Sequence, residues 1–407
     1  MPAYANRPKI FISAAEQSAD EHAAALIRAF RDGHGEAAFS GLAGPAMRAA
    51  GCECYHDMTA RSAMALAAFR RVPEAVRLLH RLKFHLRDGG YHAAVLVDSP
   101  TLNLPIARLC RLAGVPVMYY IAPQTWAWAA WRNRRIRRRV NRVACIWPFE
   151  ETWFRQHGIP AAYVGHPSFD RLLATPIDQT RVAELRRLGP PVITLLPGSR
   201  RHVVREVLPG QLEAAIALRK RFPRAFFLVV PANEEVRELI EPMIAASRLG
   251  RAVRLLWPDS TAGSGEAAVA ERLARDRAAA IRAAEIVLVA SGTVTLEVAF
   301  HGTPMIVMYN SSRLGYELIG RWLISTPYLS IPNILAGRRV VPEFMPYFRT
   351  VDPIIAAAVE WLGTPGSLDR VRRELTELIR PMARPGAAAR AADELAAMLA
   401  GGGVRSP

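Results

Sequence analysis

The feature that most constrains this chain is a recurring pattern of short apolar runs separated by stretches with helical spacing. In the first half, Lys9–Ser13, Ala93–Asp98, Pro116–Ile121, Val143–Trp147 and Ala162–Val164 read as strands. His22–Arg31 and Leu104–Leu112 carry helical spacing between them. Strands that are apolar throughout are buried on both faces, which implies a parallel sheet with helices on each side. The pattern pauses from Pro167 to Gln179, passes through a polar helical stretch at Arg181–Leu188, and restarts after Pro190-Pro191. Val192–Leu196, Phe226–Val230, Ala252–Leu256, Glu285–Ala290 and Pro304–Met308 form the second series. The expected fold class is therefore α/β, with two successive parallel-sheet domains and a cleft between them. Ligands bind such sheets at the carboxyl ends of the strands. The expected boundaries are 1–178, 190–350 and a helical segment at 351–400 that packs back on the first domain.

Composition narrows the class. With 51% hydrophobic and 22% charged residues the chain is an ordinary globular one, which excludes a disordered or coiled-coil protein. Cys52, Cys54, Cys110 and Cys145 are too few for a disulfide scaffold and lack zinc-ligand spacing, so a reducing compartment is expected. Pro8 and Lys9 lead straight into a strand, so no secretory signal is expected. No run approaches the roughly 18 apolar residues of a membrane span. The formal net charge is +17, and its distribution is uneven. Between Ala60 and Arg142 there are 16 Lys and Arg against three acids. Such a field attracts nucleic acid, anionic lipid or a phosphorylated substrate.

Several motifs carry chemistry. Leu195-Leu196-Pro197-Gly198-Ser199-Arg200, with Glu206 beyond, is a strand running through a Pro-Gly turn into a helix. That geometry turns backbone N–H groups toward a phosphate, and Arg200 adds a forked donor. A plain turn with an N-capping serine reads the same way. Ser291-Gly292-Thr293 repeats the arrangement, with Glu297 one turn into the helix. Glu297 could hold the two hydroxyls of a ribose, or simply sit in a first turn that favours acids. Two such turns in one domain point to a nucleoside diphosphate. Asp98 ends an apolar strand, where a carboxylate can take a proton from an attacking hydroxyl; capping the helix after Pro100 is the alternative. Glu16, Ser18, Asp20, Glu21 and His22 follow the first strand, and one histidine among acids is thin support for a metal.

A basic amphipathic stretch runs through Met64, Leu66, Phe69, Val72 and Val76, interleaved with Arg70, Arg71 and Arg77. Gln124, Trp126, Trp128 and Trp131 precede a run of arginines. Both segments suit an anionic membrane surface, and both can equally be packed helices with solvated faces.

Taken in order, Ala15-Glu16-x-Ser18-x-Asp20, Ser40-Gly41-Leu42-x-Gly44-Pro45-x-Met47, Asp98-x-Pro100-x-x-Asn103 and Pro123-Gln124-x-Trp126-Ala127-Trp128 open a longer series. It continues through Pro148-Phe149-Glu150, Val164-Gly165-His166-Pro167, Leu196–Arg200, Ser291-Gly292-Thr293 and Pro332-Asn333. This series, from about residue 9 to 350, resembles the lipid-A-disaccharide synthase family. The resemblance implies a GT-B fold of two Rossmann-like domains and an inverting glycosyltransferase. The family joins UDP-2,3-diacylglucosamine to 2,3-diacylglucosamine 1-phosphate (lipid X), giving a lipid A disaccharide 1-phosphate and UDP. It implies no cofactor and no metal, a peripheral position on the cytoplasmic face of the inner membrane, no nucleic acid, and room for a homodimer.

By the resemblance, Asp98 is the general base with Glu16 close by. Ser199, Arg200, Glu206, Ser291, Gly292, Thr293, Glu297 and Asn333 would hold the UDP-sugar, and Ser18, Asp20, Asn103 and Gln124 would line the acceptor side. The chain departs from the family where Ala15 and Ala19 replace glycines, where Pro346 replaces a glutamine, and where Ala129-Ala130-Trp131 extends the tryptophan segment. If either glycine position needs a positive φ, alanine alters the loop. The alternatives are another GT-B UDP-sugar transferase, an epimerase, or a non-catalytic lipid-binding relative; a basic nucleic-acid-binding protein would leave both anion turns unexplained.

Overall fold

The computed structural model describes residues 7–57, 72–127, 129–258, 266–310 and 326–401. Of the expected membrane-surface positions, Met64, Leu66, Phe69, Arg70, Arg71, Trp128 and the side chain of Val72 lie outside the described residues.

In chain order the elements begin with β1 (Lys9–Ala14), α1 (Gln17–His34), β2 (Ala38–Leu42), α2 (Pro45–Ala49), β3 (Glu53–His56), α3 (Val72–Asp88) and β4 (Ala93–Val97). There follow α4 (Pro100–Leu112), β5 (Val117–Tyr120), a 3₁₀ turn at Ala130–Arg132, α5 (Asn133–Arg139), β6 (Arg142–Cys145), α6 (Pro148–Gln156) and β7 (Ala161–Tyr163). Next come α7 (Pro167–Ala174), α8 (Gln179–Arg186), β8 (Val192–Leu196), α9 (Arg201–Arg221), β9 (Phe226–Val229), α10 (Glu234–Ala245) and β10 (Val253–Leu255). The rest are α11 (Glu266–Ala283), β11 (Ile286–Ala290), α12 (Val294–Phe300), β12 (Met305–Met308), α13 (Ile331–Ala336), β13 (Glu343–Phe344), α14 (Asp352–Gly363), α15 (Ser367–Ile379) and α16 (Ala387–Ala400).

These elements form two compact units. The first takes the described residues of Met1–Asp170 and Arg384–Pro407, the second those of Arg171–Ala383. The first unit holds a seven-stranded sheet in the order β3-β2-β1-β4-β5-β6-β7. All its pairings are parallel. Every residue of β4 and β5 is buried, as uninterrupted apolar runs require. Leu26, Ile27 and Phe30 of α1 are removed from water, each contributing about 2 kcal/mol.

The second unit holds a six-stranded parallel sheet in the order β10-β9-β8-β11-β12-β13. Helices α14 and α15 pack within it, against α9 and α12. The segment expected as one helical appendage therefore divides, and α16 alone joins the first unit. It lays Ala387, Ala391, Leu395 and Leu399 against α1. Asp170 accepts from the Gly386 N–H at 2.6 Å at the start of α16, and Arg390 Nε donates to the Val164 carbonyl at 2.8 Å. Arg142 pairs with Glu394, and His34 Nε2 meets Asp393 at 2.8 Å.

Strands β2, β3 and β13 lie beyond the apolar pattern that marks the others. Among the described residues, no helix is long and apolar enough to cross a membrane.

Candidate active site

In each sheet the strand order reverses once: between β1 and β4 in the first unit, and between β8 and β11 in the second. Chain leaving neighbouring strands in opposite directions opens a crevice at their carboxyl ends, where open α/β sheets bind ligands. The motifs singled out by the sequence leave the sheets at these two points.

In the first unit, Ala14 pairs with Val97, so Glu16 and Asp98 follow adjacent strand ends. Asp98 is half-buried with φ 52°, and Ser99 follows with φ 44°. Left-handed conformations are costly for residues with a Cβ, and two in succession persist only where surroundings impose them. Here they do. The Asp98 N–H donates to the Tyr120 carbonyl at 3.1 Å. The Asp98 carbonyl accepts from Asn103 Nδ2 at 2.8 Å and from the Tyr119 hydroxyl at 2.7 Å. Ile121, at the end of β5, and Ala129 also have positive φ. The four non-glycine residues with positive φ among the described residues thus all follow β4 and β5. Ser99, not Asp98, is the N-cap residue of α4.

Glu16 is half-buried and is the N-cap residue of α1. Ala15 and Ala19 are absent from the residues with positive φ, so alanine fits the backbone at both sites. Ser18 and Gln124 are exposed. Two expected acceptor-side residues have structural tasks instead. Asn103 is fully buried: its amide bonds the Val97 and Asp98 carbonyls, and its oxygen accepts from Ser13 Oγ at 2.8 Å. Asp20 is buried and accepts from the N–H groups of Gly44 and Ala46 at 2.8 Å and of Met47 at 3.2 Å, fixing the start of α2. Both polar ends are consumed inside the fold.

Trp126 also departs from expectation. It is half-buried rather than presented outward, and its indole N–H donates to Glu150 Oε1 at 2.9 Å while its ring packs edge-on against Phe149. Glu150 is fully buried and takes two further N–H bonds, from Ile146 and Trp147 at 3.1 Å. Burial pushes its carboxyl up to about 7, against the pull of these donors. Val76 and Arg77 are exposed on α3. Trp131, which precedes the arginine run, is exposed, with Arg135 over its ring at 4.6 Å.

In the second unit, Leu196 pairs with Val289, so the two small-residue turns emerge side by side. Gly198 has φ 114°, and a Cβ there would meet Val203 Cγ1 at 2.7 Å, so the turn admits only glycine. Ser199 and Arg200 are exposed at the start of α9, and Glu206 is exposed further along it. Gly292 has φ 149° and open space around its Cα, with Ser291 half-buried and Thr293 exposed beside it. Glu297 is buried, and both its oxygens accept from Arg277 Nε, at 2.9 and 3.1 Å. Sequence reasoning missed Arg277, because nothing local ties it to a glutamate twenty residues away.

Asn333 has a different task from the donor contact expected of it. It is fully buried, accepting from the Val340 and Val341 N–H groups and donating to the Val341 carbonyl and Glu343 Oε2. Glu343 in turn takes the Leu329 and Ser330 N–H groups. The pair braces the approach to β13.

A family model for lipid-A-disaccharide synthetase matches residues 10–377. The lipid-A-disaccharide synthase of Syntrophus aciditrophicus is 36% identical over 395 residues, covering 95% of this chain and 97% of the relative. That of Myxococcus xanthus is 35% identical over 406 residues, covering 98% and 100%. Among solved structures, the S. aureus MnaA–UDP co-structure superposes with TM-score 0.63 at 11% identity, covering 97% of each chain. The UDP-GlcNAc 2-epimerase of Neisseria meningitidis bound to UDP-GlcNAc gives 0.60 at 13%, covering 96% of this chain and 100% of the other. At such identity the likeness is one of fold, the α/β GT-B class. With a family model across nearly its whole length and relatives matching end to end, the chain belongs to the lipid-A-disaccharide synthase family.

Proposed function

We propose that this chain transfers 2,3-diacylglucosamine from UDP to the 6-hydroxyl of 2,3-diacylglucosamine 1-phosphate, with inversion at the anomeric carbon. The observation that carries the catalytic assignment is the Asp98 backbone, forced left-handed at the β1/β4 reversal and held by three hydrogen bonds. Asp98 takes the proton of the acceptor hydroxyl as its oxygen bonds to the anomeric carbon. The bond to the diphosphate breaks with its electron pair, and UDP leaves. Glu16 stands at the adjacent strand end to position the sugar.

The diphosphate rests on the turns at Ser199–Arg200 and Ser291–Thr293, where backbone N–H groups and the Arg200 guanidinium meet the developing charge. This donor set stabilises the leaving group without a metal. Glu297 keeps lone pairs beyond those given to Arg277 and can still accept from a ribose. Glu206 is exposed in the second turn of α9.

The basic face of α3, with Val76 and Phe84 exposed among Arg77, Arg81, Lys83 and Arg87, supports a peripheral seat on the anionic inner face of the inner membrane.

The test is UDP release from UDP-2,3-diacylglucosamine in mixed micelles with EDTA, with and without the phosphorylated acceptor. Acceptor-dependent release with a disaccharide product is expected. Asp98→Asn should lower turnover about 100-fold or more while UDP affinity stays within about threefold. Loss of UDP binding in that variant would reassign Asp98 to structure.

A further inference from the structure

The mechanism above leaves one buried acid without a use, Glu150 of α6. A glutamate in the first turn of a helix commonly reaches back to cap the chain before it. Glu150 does this with one oxygen: Oε2 accepts from the Ile146 and Trp147 N–H groups at 3.1 Å. Its other oxygen leaves the helix altogether. Oε1 accepts at 2.9 Å from the indole N–H of Trp126, 24 residues earlier in the chain. Glu150 is 0% exposed. A buried carboxyl is costly to keep, and a cap alone does not require one.

Trp126 belongs to the loop that leaves β5 at Ile121. This loop begins beside the proposed base. Val97 pairs with Tyr120, whose carbonyl takes the Asp98 N–H at 3.1 Å. Farther along, the loop is tied to α6. Besides the Trp126–Glu150 bond, the Thr125 hydroxyl accepts from the Trp153 indole N–H at 3.1 Å. The Trp126 ring stands edge-on to Phe149 with centroids 4.9 Å apart. Within the loop, the Thr125 N–H donates to the Pro123 carbonyl at 2.7 Å, and the Ala127 N–H to that of Gln124 at 3.0 Å. From Ile121 to Ala127 every residue is buried or half-buried except Gln124, which is exposed. The loop is thus fixed along its length and presents a single polar side chain, an amide able both to donate and to accept.

We infer that Glu150 is a positioning residue for the transfer reaction: through the Trp126 indole it latches the loop after β5 to α6, and so fixes Gln124 as the side chain that this loop offers to the acceptor sugar. The inference rests on the transferase reading above. Glu150 touches no substrate in this role and moves no proton. A loose loop would have to become ordered each time an acceptor binds, whereas a latched one has met that entropic cost on folding.

The test is a double-mutant cycle in the whole protein, with 2,3-diacylglucosamine 1-phosphate as acceptor. Trp126→Phe removes the indole donor and leaves Glu150 its cap. It should lower kcat/KM about 10-fold, mainly through the acceptor KM, while UDP affinity measured by calorimetry stays within about twofold. Gln124→Ala should do the same. If the latch acts by placing Gln124, the double variant loses little more than either single one. Losses that multiply would mean that the two residues act independently, and would overturn the inference. Wild-type kcat/KM in Trp126→Phe, or UDP affinity that falls in step with it, would do so as well.

Hydrogen exchange reads the latch without turnover. The Thr125 and Ala127 amides should exchange about tenfold faster in Trp126→Phe and in Glu150→Ala, with those of α16 unchanged. Protection unchanged in Trp126→Phe overturns the latch. Acceptor binding in micelles repeats the cycle without chemistry, so a wild type that binds the acceptor but transfers nothing sinks the transferase reading alone.

Discussion

Asp98, the proposed base, is a residue whose backbone is fixed by its neighbours. Its backbone is left-handed and anchored from β5 and α4, which fixes the point from which the side chain leaves the chain. The sequence announced the residue but not this conformation, because the residue before a proline ordinarily adopts an extended backbone and Ser99 does not. Asn333 shows the reverse case. An asparagine beside proline in a motif resembles a ligand, and only its four hydrogen bonds reveal a brace. Asn333→Ala strands buried N–H groups and should cost about 2–4 kcal/mol, read as a lower denaturation midpoint.

Glu150 makes a pH prediction. Its carboxyl is pushed up to about 7 by burial, so the folded protein holds this proton more readily than the unfolded chain. The stability so gained is full below the unfolded value and lost as pH rises through about 7. Urea midpoints measured from pH 4.5 to 8 should therefore fall in the wild type relative to Glu150→Gln. A constant difference across that range would mean that Glu150 titrates normally.

At the scale of elements, legibility follows hydrophobicity. Strands β1, β4, β5, β8, β9, β11 and β12 are central and apolar, and the sequence marks them. β2 contains Ser40-Gly41 and β3 is a polar edge strand, Glu53–His56, so neither shows an apolar run. Gly41 is required by packing: a Cβ there would stand 2.0 Å from the Ile12 carbonyl oxygen, at φ 155°. Gly41→Ala should force β1 and β2 apart and lower the thermal midpoint by roughly 10 °C, for a cost of about 3 kcal/mol. Calorimetry checks this directly.

The docking of α16 depends on Asp170, which accepts from three successive backbone N–H groups at its start. In Asp170→Ala, hydrogen exchange at Gly386, Ala387 and Ala388 should accelerate about tenfold or more, while that of α14 stays unchanged.

The whole molecule is a twofold use of one topology, and its densest run of basic residues lies in one unit. The arginine-rich region from Ala60 to Arg142 falls wholly within the first. Binding to phosphatidylglycerol–phosphatidylethanolamine vesicles should weaken as salt rises. Reversing Arg77 and Arg81 to Glu should reduce it at least tenfold, since each basic group near an anionic surface contributes about 1 kcal/mol. Salt-insensitive binding would mean that the charge is not what the vesicle reads.

The division of the chain also sets an order in time. A ribosome releases Arg171–Ala383, a continuous unit, before it releases Ala387–Ala400, the helix that completes the first. Domains generally form as they emerge, amino end first. This chain inverts that rule: its opening unit waits, with one apolar flank of α1 uncovered, until its sister is already made. During that interval the face of α1 that the last helix covers stands open to water.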